Sequence, residues 1–220
     1  MEIYDNNIFV EKSIKEYTGE SKFCYVFNKM MRNFGSGLVK FSYFMGPFLF
    51  SLNKYVKDNP SFAMLKDMTL YRNMVCSKLD FYLFKLNVGH IICFPSLTST
   101  SSEEKSFTPT SMALSVNKIS YETVKIKMVT KYKYSQGNIS PGIIIEDKVG
   151  HDGSKISFFP NEKEVLLFPF TFLKIKDIKQ KNESGNSIQL IEMEIINRTS
   201  YIEYTLKNNV NNRLFLSSLE

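Results

Sequence analysis

Three places in this 220-residue chain carry side chains whose type and spacing allow chemistry. Arg72 stands inside the apolar segment Thr69 to Val75, which reads as a strand. A guanidinium there caps a sheet edge, pairs with a carboxylate, or offers its permanently charged fork to a phosphate group. The second place is Phe94-Pro95-Ser96-Leu97-Thr98-Ser99-Thr100-Ser101-Ser102, which by itself reads as a hydroxyl-rich loop. The third is Glu162-Lys163-Glu164, directly ahead of Val165-Leu166-Leu167-Phe168. On an extended backbone the carboxylates of residues i and i+2 point to the same side. The simpler alternative is two solvated charges before a strand.

The elements that must position these residues come helices first. Ile8, Val10, Ile14 and Tyr17 recur at helical spacing, and Thr18-Gly19 ends that segment. Glu20 to Phe34 reads as a second helix, with Phe23, Val26, Phe27, Met30 and Met31 inward and Gly35 as its stop. Leu38 to Val56 reads as a third, with a kink or start at Pro47. From there the pattern changes to about seven short strands: 69–75, 91–99, 123–134, 142–146, 164–176, 188–196 and 201–206. In the third of these, Val124, Ile126 and Met128 alternate with Lys125 and Lys127, and Lys131 and Lys133 continue the basic theme. Period two with one charged face describes a half-buried strand with its lysines in solvent. Helices followed by strands is an α+β order in one domain over 1–220, a helical flank over 1–60 and a β core over 61–220.

Taken together, Arg72 on one strand, Ser99-Thr100-Ser101 ending a second and Glu162-x-Glu164 opening a third resemble the R-S-E signature of the mono-ADP-ribosyltransferases, in its arginine-specific branch. Glu16-Tyr17-Thr18-Gly19 followed by Asn28 and Arg32 looks like that family's helical lead-in. Val88-Gly89-His90-Ile91-Ile92 and Ile156-Ser157-Phe158-Phe159-Pro160-Asn161 also fit, so the likeness spans roughly residues 16–176. It implies a mixed two-sheet β-sandwich around an NAD cleft, with NAD as substrate, no metal, and an arginine-bearing protein as acceptor. By the same resemblance Arg72 binds the pyrophosphate and Ser99 orients Glu164. Glu164 holds the ribose and faces its developing charge, while Glu162 grips the incoming guanidinium and takes its proton. Asn73, Thr100 and Ser101 complete the NAD contacts. Residues 150–162 become the acceptor-recognition loop, with either Phe158 or Phe159 exposed and the other in the core. The segment 102–109 becomes a loop over the phosphates, with Lys105 as its cation. One position departs: many relatives carry Gly after the arginine, whose backbone holds the nicotinamide amide, and here it is Asn73.

Composition narrows the field without choosing within it. Hydrophobic residues are 43% and charged residues 23%, which excludes disorder as the main state. A net charge of +6 favours anionic partners: a dinucleotide, nucleic acid, an acidic protein surface or anionic lipid. Cys24, Cys76 and Cys93 form neither a metal spacing nor a disulfide framework, which points to a reducing compartment, in the source or in a target cell. Phe41 to Leu52 is too short for a membrane span and reads as buried helix, and no signal peptide is visible. Two readings compete with arginine transfer. One is an NAD glycohydrolase, the same site with water as acceptor. The other is a non-catalytic nucleic-acid binder using the lysine-bearing strand, against which solvated lysines argue.

Overall fold

The computed structural model describes residues 6–19, 22–32, 36–105, 122–183 and 185–197. The strand expected at 201–206 and the helix stop at Gly35 lie outside the described residues. Among the described residues four α-helices, α1 (Asn6–Thr18), α2 (Lys22–Arg32), α3 (Ser36–Asp58) and α4 (Lys78–Leu86), accompany eight strands. These are β1 (Met68–Ser77), β2 (Ile91–Phe94), β3 (Thr98–Ser101), β4 (Thr123–Tyr132), β5 (Gly142–Ile144), β6 (Glu164–Leu167), β7 (Thr171–Glu183) and β8 (Asn186–Ile195).

The first three helices form because their apolar residues fall on one stripe. Val10, Ile14 and Tyr17 of α1, Phe27 and Met31 of α2, and Phe48, Leu52, Tyr55 and Val56 of α3 are buried in one cluster. Tyr17 meets Phe27 edge-on at 5.9 Å, and Phe27 meets Phe48 edge-on at 5.7 Å, so the aromatic-rich composition becomes the flank's core. Each such side chain contributes about 1.5–3 kcal/mol of burial. Val26, expected inward, is exposed, because Phe23, Phe27 and Met31 at intervals of four define the stripe. Helix α3 runs through Pro47 instead of starting there. Among the described residues no helix is long and apolar enough to cross a membrane.

The strands follow the order β2-β7-β8-β4-β1-β3-β6-β5. Neighbours are antiparallel except β4 and β8, which run parallel, so the sheet is mixed. The expected sandwich is built from two halves of this one sheet, which are joined where β1 meets β3 through the pair Tyr71 and Ser101. A second core cluster holds them face to face, taking Leu70, Ile126, Met128, Leu173, Ile175, Ile191 and Met193 from one half and Val165 and Leu167 from the other. Leu166 and Phe168 point the opposite way, into the helical cluster. Strand β6 is thus buried on both faces, between the helical flank and the rest of the sheet.

Two segments read as single strands are each two. Pro95-Ser96 separates β2 from β3, and Pro169-Phe170, with Phe170 at φ 60°, separates β6 from β7. Helix α4 had no counterpart in the sequence reading; the Ser77 hydroxyl caps it by accepting from the Asp80 backbone N–H. Lys127 overturns the expectation of a solvent face on β4. Its side chain is 1% exposed, with Nζ at 2.6 Å from Glu183 and 3.1 Å from Glu104.

Candidate active site

The alternation along β6 aims Glu164. It shares a face with Leu166, the face turned to the helices, but it stands at the strand's first position, where that face opens beside α1 and α2. Strand β3 pairs antiparallel with β6, Ser101 opposite Glu164 and Ser99 opposite Leu166. Ser99 is therefore the diagonal neighbour of Glu164 on one face, and its Oγ donates to Glu164 Oε1 at 2.6 Å. Thr100, on the other face, donates to the Val165 carbonyl at 2.6 Å and locks the register. Arg72, from β1, donates through Nη1 to the Ser99 carbonyl at 2.6 Å. One strand segment thus holds a carboxylate by its side chain and a guanidinium by its backbone.

These residues line a cleft of about 430 Å³. Tyr17, Thr18, Cys24, Tyr25 and Asn28 form its helical wall, and Tyr71, Arg72 and Asn73 its floor. Ser99, Thr100, Ser101, Glu103 and Lys105 follow along β3 and beyond, and Phe159, Glu162 and Glu164 close it. The cleft therefore contains every residue singled out for catalysis or NAD contact. Phe159 joins them, and Phe158 stands beside it with the two rings edge-on at 5.1 Å. Both phenylalanines are exposed, 57% and 38%, so the expectation that one packs in the core does not hold. The reason is local: Ile156 and Ser157 take the buried positions of this segment.

Glu162 and Glu164 reach one cleft by a route other than extended alternation. Glu162 ends a 3₁₀ turn, Pro160–Glu162, and Lys163 is left-handed at φ 48° and ψ 46°. The kink separates the environments of the two carboxylates. Glu162 is exposed, with its backbone carbonyl held by the Ser101 hydroxyl at 2.9 Å. Glu164 is 5% exposed, and burial pushes its carboxyl up to about 6. Hydrogen bonds from Ser99 and Ser157 and the charge of Arg72 oppose that rise, while Glu162 adds to it.

Residues that the sequence offered only as surrounding pattern complete the site. Ser157 is buried and donates to Glu164 Oε2 at 3.4 Å, while its Oγ accepts from the Phe159 backbone N–H at 3.1 Å. The Tyr17 hydroxyl donates to the Leu97 carbonyl at 2.8 Å, tying α1 to the segment entering β3. Thr18 Oγ1 accepts from the Phe158 N–H at 2.9 Å. At the other end of the 150–162 segment, buried Glu11 accepts from the His151 N–H at 2.9 Å and from the Tyr55 hydroxyl at 2.7 Å. A Cβ on Gly150 would stand 2.5 Å from that carboxylate, so glycine permits the contact. The segment is thus clamped to α1 at both ends. Tyr25, Tyr71 and Glu103 had no signal in the sequence.

Chemically, the cleft offers a fixed guanidinium, a buried carboxylate held by hydroxyls, and an exposed carboxylate at its rim. That set has the chemistry to pair with a dianionic pyrophosphate and to face positive charge developing beside it. Among the described residues no group of three or more His, Cys, Asp and Glu side chains is arranged to hold a metal ion.

No protein-family model matches the sequence, and no curated protein matches it at the sequence level. Solved structures do match in fold. Vis toxin, an ADP-ribosyltransferase from Vibrio splendidus, superposes with a TM-score of 0.54 at 16% identity, covering 90% of this chain and 79% of that one. Plx2a, an ADP-ribosyltransferase toxin from Paenibacillus larvae, gives 0.55 at 16% identity, with 86% of each chain covered. C3stau2 from S. aureus, solved with NAD, gives 0.56 at 14% identity, with 89% of each chain covered. The chain has the fold of the ADP-ribosyltransferase toxins.

Proposed function

We propose that the protein transfers ADP-ribose from NAD to arginine side chains of an acceptor protein. The observation that carries this reading is the buried Glu164 carboxylate, held by Ser99 in the same cleft as Arg72 and the exposed Glu162. The presence of NAD in the S. aureus structure of the same fold supports NAD as the substrate.

The residues divide the reaction between them. Arg72 pairs with the pyrophosphate, a contact that is made equally in ground and transition states and serves binding. The bond between ribose C1 and the nicotinamide nitrogen breaks with its electron pair leaving on the ring, so nicotinamide departs neutral and needs no acid. Positive charge develops on the ribose, and ionised Glu164 lies beside it in a water-poor site, where a fixed charge acts most strongly. Ser99 and Ser157 keep that carboxylate oriented. The acceptor guanidinium attacks C1 and yields a proton to Glu162, forming the new C–N bond. Phe159 and Tyr25 give the rim apolar faces over which a guanidinium stacks.

Water in place of the guanidinium makes the same site a glycohydrolase. The exposed Glu162 favours transfer, because hydrolysis does not require a second carboxylate. Incubation with labelled NAD and agmatine or polyarginine tests the reading. Label on the acceptor is the expected result. Free ADP-ribose alone assigns the glycohydrolase, and release of neither product overturns both.

A further inference from the structure

Lys127 stands in surroundings that its alternating, lysine-bearing sequence context does not imply. Its ammonium is buried in the middle of a half-sheet, opposite Asn73 on β1 and Leu190 on β8. Burying an ammonium is costly unless carboxylates compensate it, and Lys127 has two. Glu183, largely buried at the end of β7, contacts it through both oxygens at 2.6 and 2.7 Å and neutralises it. Glu104 is the second, at 3.1 Å, and it is half exposed. Lys181 also approaches Glu183, at 4.0 Å, but its ammonium is half exposed and solvated, so the second carboxylate beside Lys127 calls for a further explanation.

Its position supplies one. Glu104 lies three residues beyond Ser101, between Glu103 and Lys105, which both line the cleft. Glu104 itself turns the other way, down to Lys127. Asn73, the strand partner of Lys127, donates to the Lys105 carbonyl at 3.4 Å. On the near side the Ser102 N–H donates to the Lys163 carbonyl at 2.9 Å, and the Ser102 hydroxyl donates to Glu146 at 3.2 Å. The stretch over the cleft is therefore pinned at both ends: at Ser102 to the Glu162–Glu164 turn, and at Glu104–Lys105 to the β1–β4 pair.

We propose that Lys127 and Glu104 are a positioning pair that fixes residues 103–105 over the cleft so that NAD binds a preformed wall, an inference that rests on the NAD reading above. Lys127 touches no substrate. It acts through Glu104, and Glu183 is the counter-charge that keeps it ionised in the sheet.

Glu104→Gln in the full chain tests the pair, because Glu104 is half exposed and Lys127 keeps Glu183. Three readouts are taken: KM and kcat for nicotinamide release, melting temperature, and amide hydrogen exchange across 102–105. Ordering these residues at each binding event should raise KM for NAD about three- to tenfold, with kcat and melting temperature nearly unchanged. Exchange within 103–105 should speed up. The charge change alone acts in the opposite direction, since removing an anion near a dianionic pyrophosphate tightens its binding. In a Lys127→Met background, Glu104→Gln should add no further rise, because its partner is gone. If Lys127→Met does not fold, the single Glu104 variant decides. An unchanged or lowered KM overturns the pair's role in NAD binding, and unchanged exchange overturns its role in fixing the segment. Absence of nicotinamide release from the wild type is instead a failure of the NAD reading, and the exchange measurement still tests the pair.

Discussion

Ser99 Oγ stands 2.6 Å from Glu164 Oε1, joining residues 65 positions apart as diagonal neighbours on paired strands. The hydroxyl faces a carboxylate that burial has pushed up to about 6, and its hydrogen bond favours the ionised form against that burial. Catalysis needs the ionised form. Nicotinamide release should therefore rise as pH increases through about 6 and level off above it. In Ser99→Ala the lost hydrogen bond to a charged group moves that limb upward by about one to two pH units. A pH–rate profile of both proteins checks the shift; coincident limbs would separate Ser99 from the ionisation of Glu164.

Glu164 also costs the fold stability, with a definite sign. Its folded value of about 6 lies above its ordinary 4.5, so the folded state holds its proton longer. Stability falls as pH rises from 4.5 to 6, and above that the penalty stays at about 2 kcal/mol. Glu164→Gln removes the penalty while keeping an acceptor for Ser99. It should melt about 4 °C higher at pH 7.5 and gain nothing at pH 4.5. The same substitution should lower transfer and NAD hydrolysis by about 100- to 1,000-fold. Calorimetry at the two pH values, beside the assay, tests both halves.

Arg72 is held by one nitrogen on the Ser99 carbonyl, leaving the remainder of its fork to the cleft. Arg72→Lys keeps charge but loses the planar fork, and Arg72→Ala loses both. NAD titration should show weaker binding for lysine and weaker still for alanine. Equal affinity in all three would make Arg72 a structural residue.

Much of the frame was legible because its signals are local. The apolar run 69–75 marks β1, alternation along 123–134 marks β4, and the spacing of Val10, Ile14 and Tyr17 marks α1. The site motifs were legible as residue types, yet their geometry was not. The separation of Glu162 and Glu164 into an exposed and a buried environment depends on left-handed Lys163, a conformation that a lysine does not announce. The burial of Lys127 depends on Glu104 and Glu183, 23 and 56 residues away, so period two alone could place it only off the core face. Both phenylalanines looked equally suited to a core that Ile156 and Ser157 already fill. Helix α4 is nine residues long and abuts β1 directly, so its apolar residues carried no separate boundary signal.

The central claim, that the two carboxylates serve different partners, is tested most directly by Glu162→Gln. Glu162 is exposed at the rim and Glu164 is buried against Ser99 and Ser157, so glutamine at 162 removes charge and base without disturbing the ribose side. A guanidinium is almost wholly protonated near neutral pH and needs that base to attack, whereas water meets an already electrophilic ribose. Nicotinamide release and label on agmatine are measured in parallel with the wild type and the variant. Loss of label on agmatine with a measurable part of nicotinamide release retained is the predicted result; a fall of both by the same factor would contradict it.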